Sequence, residues 1–113
     1  MSKHIDLAII GAGIGGVSSA VYAKRAGISC LLFESNAIGG QLLFMENIDN
    51  YVGIEAGTKG SKLAETLAKT VADLKIDIVE ENIVKIEDNK DHLHLYAQDC
   101  RYVAKGIVAA TGA

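Results

Sequence analysis

Hydrophobic and polar positions alternate between two periods along this chain. Residues 4–10 are mostly apolar, as a short strand requires. Ile14, Val17 and Val21 then recur at helical spacing, predicting a helix over 15–26 that Gly27 can terminate. Residues 29–34 return to an unbroken apolar centre, which suits a strand covered on both faces. Strand, helix and strand within about thirty residues form a βαβ unit, with parallel pairing and a right-handed crossover.

Residues 36–60 break the pattern. They hold Gly39, Gly40, Gly53, Gly57 and Gly60 with little periodicity, and a compact domain seldom carries so long an irregular stretch without a use for it. A second helix follows, with Leu63, Leu67, Val71 and Leu74 on one stripe and Ser61 or Thr58 as its expected cap. Residues 76–79 read as a short strand. Residues 83–87, 93–98 and 101–104 read as an antiparallel meander turned by Asp88-Asn89-Lys90-Asp91 and Gln98-Asp99-Cys100. His92 and His94 fall on one face of it, without a third ligand nearby, so a solvated face is expected and no metal. Residues 106–110 are apolar throughout, as in a central strand.

The expected fold class is therefore α/β. Its parallel strands should lie in the order 76–79, 29–34, 4–10, 106–110, with the small meander packed on one side.

Composition narrows the class further. The chain has 113 residues, one domain's worth, and half are hydrophobic. Aromatics make up only 5%, so the core must rest on aliphatic side chains. Eleven basic against fourteen acidic residues leave a net charge of −3, with no basic block, which argues against nucleic acid or an anionic membrane as partner. Leu7 to Ala23 carries no charge and superficially resembles a signal peptide. Its four glycines would cost a continuous helix about 1 kcal/mol each, however, and a cytoplasmic location is expected. Cys30 and Cys100 stand seventy positions apart without a CxxC; Cys30 should be a buried, inert thiol.

Gly11-Ala12-Gly13-Ile14-Gly15-Gly16 satisfies G-x-G-x-x-G between a strand and a helix. Gly11 allows the tight turn, Gly13 lets a pyrophosphate approach the backbone, and Gly16 lets helix and strand pack closely. The helix N-terminus offers unpaired N–H groups and a partial positive charge to phosphates. Glu34 follows Gly16 by eighteen residues, where a carboxylate can accept from both adenosine ribose hydroxyls and repel a 2′-phosphate. These residues indicate an ADP-containing dinucleotide and leave NAD and FAD both open.

Three further segments add to them: Gly39-Gly40-Gln41-Leu42, Asn47 to Gly53, and Ala110-Thr111-Gly112-Ala113. In order and spacing, the set resembles the low-molecular-weight thioredoxin reductase family of FAD-dependent pyridine nucleotide–disulfide oxidoreductases. The resemblance implies FAD as cofactor and a three-layer FAD/NAD(P)-binding Rossmann-like domain as fold. It places Gly11, Gly13 and Gly16, with Ile14 and Gly15, at the pyrophosphate turn, and Glu34, with adjoining Ser35, at the adenosine ribose. Gly40, Gln41 and Leu42 would line the ribityl and flavin end, and Asn50 the isoalloxazine. The backbone at Ile83 would meet the adenine, and Thr111 and Gly112 would meet FAD a second time. No catalytic residue is implied within these positions.

In that family the ATG strand leads into an inserted NADPH domain carrying the CxxC, and a later segment returns to complete the FAD domain. The expectation is that residues 1–113 are the N-terminal segment of a discontinuous FAD-binding domain, incomplete at the C-terminus. The expected partners are FAD, the remaining NADPH-domain portion or a second copy of the chain, and, in the full-length enzyme, a thioredoxin-like protein. Two alternatives stand beside it: a non-catalytic FAD- or ADP-binding module completed by a partner or by self-association, and an NAD-binding Rossmann domain.

Overall fold

A computed structural model describes residues 2–112. β1 (Ser2–Ile10) passes through the glycine turn into α1 (Ile14–Arg25), and β2 (Cys30–Phe33) returns parallel to β1, with Leu7 opposite Cys30 and Ile10 opposite Phe33. After α2 (Gly60–Asp73), β3 (Ile78–Val79) joins the far side of β2. β4 (Lys85–Asp88), β5 (Leu93–Tyr96) and β6 (Arg101–Ala109) complete one sheet in the order β3-β2-β1-β6-β5-β4. The parallel strands thus take the order that the βαβ pattern and the apolar last strand predict.

The meander differs from expectation in one respect. Its third strand and the last parallel strand are a single element, β6. This strand runs parallel to β1 from Arg101 opposite Ser2 to Ala109 opposite Ile10, while its first half also pairs antiparallel with β5. Lys105 and Gly106 look like a break in sequence, but β1 offers a continuous partner edge across them. Lys105 turns outward to within 3.3 Å of the Asp6 carboxylate.

Strand alternation gives the sheet two apolar faces. On the first, Ile9 and Leu32 meet Val17 and Ala20 of α1 and Val71 of α2. The α1 contact is made by small residues, Gly16, Ala20 and Ala23 around Val17, so the helix lies close to the strands. On the second face, Ala8 and Phe33 meet Leu95, Tyr102 and Ala104 of the meander. Phe33 stands opposite Ile10 and Tyr102 opposite Lys3, seven residues apart along β1, or roughly 23 Å in a flat sheet. Their rings nevertheless meet edge-on at 4.8 Å. The sheet is therefore coiled, and the meander folds over the second face as the third layer.

Tyr102 is 2% exposed and donates its hydroxyl to Glu81 Oε2 at 2.9 Å. Burial, then the Glu81 and Cys100 side chains, push its phenol well above the usual tyrosine range. A pKa raised on folding contributes stability that is complete below the unfolded value of about 10 and is lost as pH rises through the folded value. Urea unfolding should accordingly show stability falling above pH about 10. Tyr102→Phe should flatten that alkaline limb, and an unchanged limb would contradict the assignment.

Three local expectations are corrected. Neither Ser61 nor Thr58 caps α2: the N-cap is Lys59, without a side-chain cap bond, and Thr58 Oγ1 donates to the Glu55 carbonyl. The helix start is set instead by Gly60, whose N–H donates to the Met45 carbonyl and where a Cβ would lie 2.0 Å from the Leu42 oxygen. Leu74 lies just beyond the helix and is 36% exposed. Cys30 is half-buried rather than buried, and desolvation still raises its thiol pKa, as an unreactive cysteine requires.

Candidate functional site

The C-terminal ends of β1, β2 and β6 converge on one pocket of about 400 Å³. Ala12, fully buried, is its junction. Its N–H donates to Glu34 Oε1 at 2.9 Å, and its carbonyl accepts the Gly39 N–H at 2.8 Å. Glu34 Oε2 accepts the Asn36 N–H at 3.0 Å. The carboxylate is thus held at the pocket wall by two backbone donors, each oxygen keeping room for another.

The three motif glycines do different work. Gly11 has φ +104, and a Cβ there would stand 2.1 Å from the Ala110 oxygen. At Gly16 a Cβ would stand 1.6 Å from the Gly11 oxygen, so α1 packs directly on the turn. Gly13 is the exception. Its backbone is extended (φ −81, ψ −163), and the nearest atom to a Cβ would be the Gly39 oxygen, 3.9 Å away. Nothing in the fold demands glycine at Gly13, and the space in front of it belongs to the pocket. Gly13 is also the N-cap of α1, whose first turn has neither a side-chain cap nor an acidic residue, so its early N–H groups are available to an anion. A cradle of this kind fits a pyrophosphate.

Opposite the turn, the irregular stretch is an organised wall. A 3₁₀ helix, Gly40–Phe44, follows Gly39, and Leu42 and Ile48 pack with Leu63 and Ala64 of α2 into a small core of their own. An isolated bridge between Ile48 and Thr58 and a bond from the Gly57 N–H to Asp49 Oδ1 close the loop. The pocket brings together Gly11, Gly13, Ile14, Gly15, Glu34, Gly40, Gln41, Leu42, Thr111 and Gly112. Gln41 and Gly112 face each other: the Gln41 Nε2 is 3.9 Å from where a Gly112 Cβ would be.

Gly16 lies buried beneath the turn, and Ser35 is exposed beside Glu34. Asn50, exposed in the loop, and Ile83, packed on the second-face core, are not on the pocket wall. Ala12, Gly39 and Ala110, which lie inside the three motifs, are on the wall as well, and Met45 joins them from outside any motif. A larger hollow of about 580 Å³ lies beyond Met45, bounded by Leu43, Phe44, Lys59 and Ser61, and shares only Met45 with the glycine pocket. Among the described residues, no cluster of His, Cys, Asp or Glu could hold a metal, and no helix is long and apolar enough to cross a membrane.

A coiled, mostly parallel sheet with a glycine turn, a helix N-terminus and an acidic strand end around one pocket defines a dinucleotide-binding Rossmann-like domain. Residues 5–113 match the family model described as pyridine nucleotide-disulphide oxidoreductase, and the chain belongs to that family. It is 34% identical to a thioredoxin reductase of Treponema pallidum over 113 residues, all of this chain and 37% of that protein. It is also 34% identical to a 34.2 kDa protein in the rubredoxin operon of Clostridium pasteurianum, over 98% of this chain and 36% of that one. The crystal structure of Lactococcus lactis thioredoxin reductase superposes with a TM-score of 0.90 at 31% identity, over 96% of this chain and 35% of that one. The chain thus spans little more than a third of these relatives. It corresponds to the N-terminal, FAD-binding portion of thioredoxin-reductase-like enzymes.

Proposed function

We propose that the pocket binds FAD and that the chain serves as the flavin-holding part of an oxidoreductase that passes electrons from a reduced pyridine nucleotide to a protein disulfide. The observation that carries this reading is Gly13: a position free of packing constraint, open toward the pocket, at the start of an uncapped helix. Bound FAD supplies a two-electron centre that accepts hydride from the nucleotide and delivers electrons to a disulfide.

The chain's own residues bind and orient. The first N–H groups of α1 receive the pyrophosphate. Glu34, already fixed by Ala12 and Asn36, accepts the adenosine ribose hydroxyls. Gln41, Thr111 and Gly112, also on the pocket wall, would line the flavin end. In this reading residues 1–113 are one segment of a discontinuous FAD domain. The pyridine nucleotide site, the redox dithiol and the surface for a thioredoxin-like acceptor lie on further chain.

The purified protein, reconstituted with FAD and freed of excess, should retain flavin absorption bands and bind ADP by calorimetry. A colourless protein that binds NAD and not FAD would overturn the proposal. Because these residues contain one G-x-G-x-x-G turn and no CxxC, the reconstituted chain should not turn over NADPH with a thioredoxin disulfide. Stopped-flow reduction of the flavin followed by such turnover would contradict that expectation.

A further inference from the structure

The buried Tyr102 hydroxyl lies outside the pocket, yet it is connected to it. We propose that Tyr102 is a positioning residue for the adenosine end of the bound dinucleotide, acting through its hydrogen bond to Glu81. This rests on the nucleotide-binding reading of the pocket.

The geometry runs through two contacts of one side chain. The Tyr102 ring packs edge-on against Phe33 at 4.8 Å, and the Phe33 carbonyl accepts the Gly11 N–H at 2.8 Å. Phe33 is the last residue of β2, and Glu34 follows it directly. The Tyr102 hydroxyl donates to Glu81 at 2.9 Å, two residues past the end of β3. The Glu34 N–H, in turn, donates to the Val79 carbonyl at 3.0 Å. Tyr102 therefore braces, from beneath the sheet, both the strand end that presents Glu34 and the loop that leaves β3.

In this proposal that loop meets the base. In an open parallel sheet the ligand lies across the carboxyl ends of the strands. With the pyrophosphate on the turn after β1 and the ribose on Glu34 after β2, the nucleotide continues over the end of β3 and residues 80–83. The loop has no regular structure. It is pinned at its ends by the Val79–Glu34 bond and by the Val84 N–H donating to the Tyr96 carbonyl at 2.8 Å. Between those points Glu81 holds to Tyr102, and Ile83 packs on the second-face core.

A hydrogen bond that only satisfied a buried phenol would affect stability and leave nucleotide affinity alone. The test is titration calorimetry with FAD and with ADP, well below the melting temperature, on the parent, Tyr102→Phe, Glu81→Ala, Glu81→Gln and the Tyr102→Phe/Glu81→Ala double variant. Tyr102→Phe and Glu81→Ala should each weaken both ligands by roughly three- to tenfold, the scale of one net hydrogen bond. The double variant should be no weaker than either single. Glu81→Gln removes the charge but keeps an acceptor, and should bind within about twofold of the parent, which separates positioning from a charge effect. Should Tyr102→Phe fail to fold, the two Glu81 variants carry the comparison. Parent-like affinity in Tyr102→Phe or Glu81→Ala, whatever the change in melting temperature, would overturn the positioning role alone. A parent that binds neither FAD nor ADP would overturn the pocket assignment and this role with it.

Discussion

Gly16→Ala is expected to destabilise the fold severely, and Gly13→Ala to leave the fold intact while weakening FAD binding. The contrast comes from what each methyl group would meet. At Gly16 it would sit 1.6 Å from the Gly11 carbonyl oxygen, a backbone atom that cannot rotate away. Relief would require lifting α1 from the sheet and opening the small-residue seam around Val17, which is 1% exposed. Overpacking of side chains alone costs about 1–3 kcal/mol, and a backbone collision should reach the upper end or beyond. That is a large part of a typical domain's stability of about 5–15 kcal/mol, and the melting temperature should drop by roughly 10 °C or more. At Gly13 the backbone is already extended, and the nearest atom is 3.9 Å away, so the free protein should melt within a degree or two of the parent. The methyl group would instead fill the space in which a pyrophosphate meets the start of α1, and FAD binding should weaken by roughly tenfold to a hundredfold. Thermal melts and FAD titrations of the two variants check both halves. Tight FAD binding by Gly13→Ala would show that the phosphates lie elsewhere.

The same glycines show which parts of the site could be read from sequence. A G-x-G-x-x-G between an apolar strand and an amphipathic helix specifies turn, helix start and sheet position together, because each element constrains the next. Glu34 followed from the strand end that the βαβ unit demanded. Other features had no local signal. Ala12 holds the pocket together through its N–H and carbonyl, a backbone role that any residue type could fill and only tertiary structure reveals. The wall at Gly39–Phe44 reads as loop because a single 3₁₀ turn is too short for periodicity, and its order comes from Leu42 and Ile48 packing on α2. Lys105-Gly106 imitates a strand break, but pairing with β1 overrides local propensity. The start of α2 likewise has no local signal: close approach to the Leu42 and Met45 carbonyls, not a hydroxyl, fixes where that helix begins.

Glu34→Gln should weaken FAD and ADP binding by roughly tenfold to a hundredfold, the equivalent of about 1.5–3 kcal/mol for a charge-assisted hydrogen bond. Two effects act in the same direction. The parent carboxylate is acceptor-only, and each oxygen already takes one backbone N–H, from Ala12 at 2.9 Å and from Asn36 at 3.0 Å. A glutamine must turn its NH₂ toward one of those donors, so one backbone contact is lost and the side chain loosens at the pocket wall. It also presents one acceptor where ribose offers two hydroxyls. The charge has a separate consequence. A carboxylate here repels a 2′-phosphate, so the parent should bind ADP far better than its 2′-phosphorylated counterpart, and Glu34→Gln should narrow that ratio even as it weakens ADP. Calorimetry with both ligands distinguishes the causes: loosening alone weakens the two equally, whereas removal of the charge moves their ratio. A ratio unchanged by the substitution would place the ribose away from Glu34 and with it the adenosine half of the ligand.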